Sequence, residues 1–359
     1  MANIDKLLSG AKSMGASDLH LVSDSMPYVR VNGDLKTVKI DKPMSSELIQ
    51  RLLFEILTPD QKKNLEAIKD LDFSYEVEGL GRFRGNALWQ KKGMDAVFRC
   101  IPTEIPTLEE LGFPPVVKKL TDHHQGLILV TGPTRSGKST TLAALVNEIN
   151  EKKHEHILTI EDPIEYIHPN KKSVVNQREV GKHTDTFASA LRASLREDPD
   201  IIMVGELRDI ETMSMAITAS ETGHLVLATL QTSGAHKTID RVLDSFPPSQ
   251  QSQIRTMVSE SLKGVISQQL IKRADGKGMV AALEILIGTV PLANLIREGK
   301  TFQIPSLMQT GRNVGMVKMD DALKDLVQQG TITAEEAYRY ANDKRTFEQL
   351  LPKEGGVNG

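Results

Sequence analysis

The run Gly132-Pro-Thr-Arg-Ser-Gly-Lys-Ser139 constrains this chain more than any other. It satisfies G-x-x-x-x-G-K-[ST] in the setting that the pattern needs. The apolar stretch Gly126-Leu-Ile-Leu-Val-Thr131 runs into it, and a helical pattern leaves it at Thr140. A glycine-rich loop between a strand and a helix aims backbone N–H groups and the positive end of the helix at one point, which favours phosphate. Gly132, Pro133, Thr134, Arg135, Ser136, Gly137, Lys138, Ser139 and Thr140 are therefore the expected nucleotide-binding set, for ATP with Mg²⁺. Lys138 is expected to bridge the β/γ oxygens and Ser139 to ligate the metal.

The surroundings predict the fold. Apolar strands at 126–131, 156–160, 200–204 and 224–229 alternate with helical patterns near 138–152, 185–196, 209–221 and 234–245. Strands apolar on both faces and separated by helices imply a parallel sheet covered on both sides. From about residue 290 the chain reads helical. Ahead of the loop the pattern differs. A short helix at 3–15, strands at 18–22 and 28–31, helices at 45–57 and 59–68, and alternating strands at 72–77, 82–90 and 95–100 read as an α+β domain. Pro102, Pro106, Pro114 and Pro115 break the pattern between the two. The expected division is 1–100, a linker over 101–112, and 113–359, with the tail 354–359 disordered.

Composition removes several functions. The 359 residues carry a net charge of −3 and 4% aromatics with one Trp, which disfavours a nucleic-acid motor. The single cysteine, Cys100, leaves no internal disulfide and no paired-cysteine zinc site, and suggests a reducing cytoplasm. No run of about 18 apolar residues predicts a membrane span. The N-terminus lacks the apolar centre of a signal peptide, so membrane contact is expected through a partner.

Hydrolysis needs carboxylates near the metal. Glu206 follows the strand Ile201-Ile-Met-Val204, and Glu161, Asp162 and Glu165 follow the strand at 156–160. Both clusters fall at the carboxyl ends of parallel strands, where open α/β sheets place their ligands. One carboxylate can hold the metal through water while another orients the attacking water. Acidic helix caps in βα loops are the plainer reading of the same residues.

These residues then resemble a known family. Thr159-Ile-Glu-Asp-Pro-Ile-Glu-Tyr166 resembles the Asp box of the type II/type IV secretion ATPases. The run Arg196-Glu-Asp-Pro-Asp-Ile-Ile-Met-Val-Gly-Glu-Leu-Arg-Asp209 resembles their Walker B segment, and Thr222-Gly-His-Leu-Val-Leu-Ala-Thr229 their His box. Residues 259–270 resemble a further block. Gly15-Ala-Ser-Asp-Leu-His20 and Arg82-Phe-Arg-Gly-Asn86 are similar to the N-terminal domain. Short length, one cysteine and Asn294-Leu-Ile-Arg-Glu298 resemble the pilus retraction branch, the PilT family.

The resemblance implies a PAS-like α+β N-terminal domain, a RecA-like motor domain and a homohexameric ring. It also implies a partner, the inner-membrane platform protein of the pilus, and retraction powered by ATP hydrolysis. By residue, it implies Glu206 as the Walker B glutamate, Glu165 as the water-polarising glutamate and His224 as the first His-box histidine. Arg82, Arg84 and Arg99 would be the basic positions that reach nucleotide phosphates. Residues 82 and 84 share one strand face, and a guanidinium arriving on closure suits charge developing on the γ-phosphate. A solvated basic face and a strand-capping histidine are the plainer readings.

Three positions depart from the family pattern. Arg135 stands where the loop has glycine; it is strained, or adds charge over the phosphates, or points to solvent without effect. Gln231 stands where the second His-box histidine belongs and cannot take a charge near neutral pH. Ala293 stands for an arginine. A slow or accessory paralogue in a mixed ring with other ATPase subunits, or an extension or secretion ATPase, are the alternative functions.

Overall fold

The computed structural model describes residues 2–101 and 104–351; Pro102 and the tail 354–359 lie outside them. The chain divides into two units, 1–104 and 105–359.

In the first unit, α1 (Asn3–Ser13) leads to three short strands, β1 (Asp18–Leu21), β2 (Tyr28–Val31) and β3 (Asp34–Thr37). Helices α2 (Ser46–Ile56) and α3 (Pro59–Ile68) precede three long strands, β4 (Asp70–Val77), β5 (Gly81–Gln90) and β6 (Gly93–Ile101). The order β3-β2-β1-β6-β5-β4 makes one sheet, with every pair antiparallel. Alternation decides its faces. Phe83, Ala87, Phe98 and Leu19 point into a core shared with Ile4, Leu8, Ile49 and Leu53 of the helices. Phe73 meets Phe98 edge-on, with ring centroids 5.8 Å apart. Gly85 is required under that pair, since a Cβ there would lie 2.4 Å from the Phe73 ring.

The second unit begins earlier than the sequence suggested. Residues 105–112, read as linker, carry Leu108, which is buried with Phe113 and Val117 in the core of this unit. Helix α4 (Pro115–Leu120) leads to β7 (Gly126–Thr131) and α5 (Lys138–Lys152). Next come β8 (His156–Glu161), β9 (Val174–Glu179), α6 (Phe187–Ser194), β10 (Ile201–Val204), α7 (Ile210–Glu221) and β11 (Leu225–Leu230). After α8 (Ala235–Asp244) and α9 (Pro248–Ser261), the chain forms β12 (Leu262–Lys272) and β13 (Met279–Ile287). It ends in α10 (Val290–Arg297), α11 (Ile304–Thr310), α12 (Met319–Gln328), α13 (Ala334–Tyr340) and α14 (Lys344–Glu348).

The seven-stranded sheet runs β13-β12-β7-β11-β10-β8-β9, parallel except for β12 against β13. The expected mainly parallel α/β sheet is therefore present, with an antiparallel ribbon at one edge. Both faces are covered. Leu127, Leu129, Ile202 and Val204 enter one core, while Ile128, Val130, Ile201 and Met203 enter the other. No helix among the described residues is long and apolar enough to cross a membrane.

Candidate nucleotide site

Parallel pairing brings the carboxyl ends of β7, β11, β10 and β8 to one edge of the sheet, through Leu230↔Thr131, Val204↔Ala228 and Val204↔Ile160. Gly132, Gln231 and Glu206 follow the ends of β7, β11 and β10 in sequence, and Glu161 is the last residue of β8. Short bonds lock the strand exits together. Thr229 Oγ1 donates to Gly205 O at 2.5 Å, and Leu207 N donates to Thr229 O at 3.0 Å.

The loop over 132–137 is shaped for an anion. Gly132 has φ 148°, and a Cβ there would lie 2.3 Å from the Gln268 carbonyl oxygen, so only glycine fits. Gly137, at φ 87°, is the N-cap of α5. Lys138 Nζ donates to Gly132 O and Pro133 O, both at 2.9 Å. Burial lowers the pKa of Lys138, partly offset by the carboxylates of Glu206 and Glu165. No acidic side chain stands within the loop itself, Ser139 is exposed in the first turn of α5, and the Ser136 hydroxyl is buried without a hydrogen-bond partner. These residues fit a nucleotide phosphate. A Mg²⁺ ion usually takes one or two protein oxygens and completes its shell with phosphate and water, and Ser139 and Glu206 carry oxygens that could serve in that way.

Arg135 sits at φ 67°, in the left-handed region, with an exposed side chain. Of the three alternatives for this residue, backbone strain is present; a non-glycine residue there costs roughly 1–2 kcal/mol.

Glu206 is held from both sides. Gln231 Nε2 donates to its Oε1 at 2.5 Å, and Arg208 Nε donates to its Oε2 at 2.5 Å. Arg208 Nη1 also reaches Asp162 Oδ2 at 3.2 Å. Gln231 further accepts from Thr134 Oγ1 at 3.3 Å, so one neutral amide links the phosphate loop to the β10 carboxylate. A histidine would need one specific tautomer to do both; glutamine always carries a donor and an acceptor. The bond that Arg208 donates to Glu206 raises the Arg208 pKa further.

Glu161 is buried. Its Oε1 accepts from Thr159 Oγ1 at 2.6 Å and from Gln177 Nε2 at 3.1 Å. Burial pushes its carboxyl up to about 7, against those two donors. A pKa raised on folding gives stability that is complete below the unfolded value of 4.5 and is lost as pH rises through about 7. Relative to a Glu161→Gln variant, the wild type should therefore lose on the order of 3 kcal/mol across that window. Melting temperatures of both proteins from about pH 4 to about pH 8 check this; parallel curves would remove the buried-carboxyl account. Next to it, Tyr166 Oη and Thr140 Oγ1 lie 2.9 Å apart, tying the 159–166 segment to α5.

One expectation about the site changes, and the arginines keep the place expected for them. The resemblance implied His224 as a site residue, the first His-box histidine. It instead precedes β11 at its amino end, the end opposite Gln231, where its Nδ1 lies 3.1 Å from Ala219 O. Along six strand residues that is about 20 Å away. Within one chain the histidine is a strand-start cap. Arg82, Arg84 and Arg99 belong to the first unit. Arg84 and Arg99 are direct partners across β5 and β6, and Arg82 is two residues along the same face. Each has a carboxylate: Glu76 at 3.6 Å for Arg82, Asp72 at 3.7 Å for Arg84 and Asp18 at 3.1 Å for Arg99.

Sequence reading missed Arg208 and Gln177. Arg208 had a signal, a lone base two residues past the strand-end acid, among acids it could neutralise. Gln177 had none, because β9 itself went unread.

A parallel sheet with a phosphate loop after β7 and a carboxylate after β10, two strands away, defines a P-loop nucleoside triphosphatase. The family model described as "Type II/IV secretion system protein" matches residues 1–352. The type IV pilus retractation ATPase PilT of Pseudomonas aeruginosa is 51% identical over 345 residues, which is 96% of this chain and all of that protein. A twitching motility protein of Neisseria gonorrhoeae is 49% identical over 321 residues, 89% of this chain and 86% of the other. The crystal structure of the pilus retraction motor PilT with bound ADP matches with a TM-score of 0.86 at 46% identity, covering 96% of this chain and 98% of that one. The chain belongs to the type II/IV secretion system protein family, in its PilT branch.

Proposed function

We propose that this chain is the ATP-hydrolysing motor of type IV pilus retraction, working as a homohexamer at the cytoplasmic face of the inner membrane through the pilus platform protein. The observation that supports this best is the convergence of Lys138, Glu206 and Gln231 on one phosphate loop, in a chain 51% identical to a named retraction ATPase. In this reading ATP binds over residues 132–140, with Mg²⁺ held by Ser139 and, through water, by Glu206. The ion supplies Lewis-acid neutralisation of the phosphate oxygens. Lys138 takes the β/γ charge. Glu165 orients the attacking water, and Arg208 with Gln231 fixes the carboxylate that serves the metal. Arg82, Arg84 and Arg99 approach the nucleotide when the ring closes, leaving their present carboxylates.

Deleting the gene in its host tests the direction of work. Cells that keep surplus pili and lose twitching are the expected result, and bald cells would assign the chain to extension. Turnover raised by DNA would point instead to a nucleic-acid motor.

A second reading, a slow or accessory subunit in a mixed ring with paralogous ATPases, is favoured by Arg135 at φ 67° and by a Gln231 that cannot take charge. On that reading Arg135→Gly and Gln231→His each raise steady-state ATPase turnover of the purified hexamer, together about tenfold, the scale of a relaxed strain plus one regained charged contact. Turnover already comparable to a strong motor and unmoved by both substitutions would sink it.

A further inference from the structure

The phosphate loop has a support that its motif does not contain. Strand β12 pairs with β7 up to Ser267↔Thr131, so Gln268 is the next residue, directly beside Gly132. Gln268 is 1% exposed and both ends of its side-chain amide are used. Its Oε1 accepts from Thr141 Oγ1, in the first turn of α5, at 2.8 Å. Its Nε2 donates to the carbonyl of Ser136 at 2.6 Å. Thr141 and Ser136 are themselves 1% and 2% exposed, so water does not replace either bond. The floor is close on this side: a Cβ on Gly137 would lie 3.2 Å from Gln268 Nε2 and 3.6 Å from Leu270 Cδ1.

The consequence follows from peptide planarity. In a trans peptide the carbonyl of one residue and the N–H of the next point in opposite directions. A Ser136 carbonyl pinned to β12 therefore turns the Gly137 N–H away from β12, toward the loop's interior. Gly137 has no side chain to hold that peptide, and glycine flanks flip easily. We propose that Gln268 is a positioning residue for phosphate binding: through Ser136 it fixes the Gly137 N–H as a phosphate donor, and through Thr141 it registers the loop against α5.

This rests on the nucleotide reading above, and the test separates the two. Gln268→Glu keeps the shape and still accepts from Thr141, but sets an acceptor against the Ser136 carbonyl. Gln268→Met keeps the volume and removes both bonds. ADP dissociation constants are measured by titration on wild type and both variants, beside ligand-free melting temperatures and the kcat and KM for ATP. Expected for Gln268→Glu is a rise in ADP Kd and in ATP KM of about tenfold or more, with kcat falling much less, the scale of one charge-assisted hydrogen bond. Gln268→Met is expected to rise less, since it loses the bond without opposing the carbonyl. A purely structural role lowers the ligand-free melting temperature and leaves Kd unmoved. Thr141→Val, which leaves the Ser136 bond in place, covers the case in which a Gln268 variant does not fold; it is expected to raise Kd about threefold. Wild type that binds ADP, with all folded variants within twofold of it, overturns the role of Gln268 alone. Wild type that binds no ADP overturns the nucleotide reading as well.

Discussion

Glu206→Ala is expected to bind ADP with wild-type affinity and to hydrolyse ATP ~10²–10⁴-fold more slowly, the range lost with one catalytic electrostatic or acid–base group. Binding survives because the loop's own donors do not involve this residue: Lys138 is satisfied by Gly132 O and Pro133 O, and the Ser136 peptide is held from β12. Hydrolysis fails because the carboxylate after β10 is the acid through which the proposed site reaches its metal. The fold tolerates the loss. Arg208 keeps Asp162, Gln231 Oε1 still accepts from Thr134, and the freed Gln231 Nε2 belongs to an exposed residue that water can serve. Nucleotide titration beside steady-state turnover checks the split, with Glu206→Gln as the isosteric control. Turnover within tenfold of wild type in both would move the metal assignment to Glu165 or Asp162.

Much of the frame was legible because of where the apolar residues fall. Strands β7, β8, β10 and β11 are buried along nearly their whole length, so they appear as unbroken apolar runs between helices. Half-buried strands with clear alternation, such as β5 and β6, were legible too, but strands without either signal were missed. β3, Asp-Leu-Lys-Thr, is exposed throughout, and β9 is a mixed edge strand. β12 carries Ser267 and Gln268 in its centre, because those side chains bond loops rather than fill a core, and it read only as a block of motif. The site divides in the same way. Glycine, lysine and serine at fixed spacing report the loop, and an acid after an apolar strand reports Glu206. The glutamines at 231 and 268 act on residues 97 and 127 to 132 positions away, a distance no local pattern spans. His224 shows the reverse case. The motif marks it as a site residue, yet it stands at the start of β11, with six strand residues between it and Gln231.

Lys138→Ala should do the opposite of Glu206→Ala: nucleotide binding is lost, and hydrolysis with it. The ammonium is partly desolvated and already spends its hydrogen bonds on two loop carbonyls at 2.9 Å. In the proposed complex, phosphate oxygens replace those carbonyls, exchanging two neutral acceptors for charged ones. Two charge-assisted bonds at about 1.5–3 kcal/mol each correspond to an ADP affinity lower by ~10²–10⁴-fold. The ligand-free protein should scarcely notice. Pro133 is exposed, so water can serve its carbonyl once the lysine is gone, at a cost of about 1 kcal/mol or less. The diagnostic result is a ligand-free melting temperature close to wild type together with no thermal shift on adding ADP. A preserved ADP shift would mean that backbone N–H groups, the Gly137 donor foremost, carry the phosphate without the lysine. In that case the Gln268 variants, rather than Lys138→Ala, should show the larger loss, so the two sets of titrations rank charge against backbone geometry in the same loop.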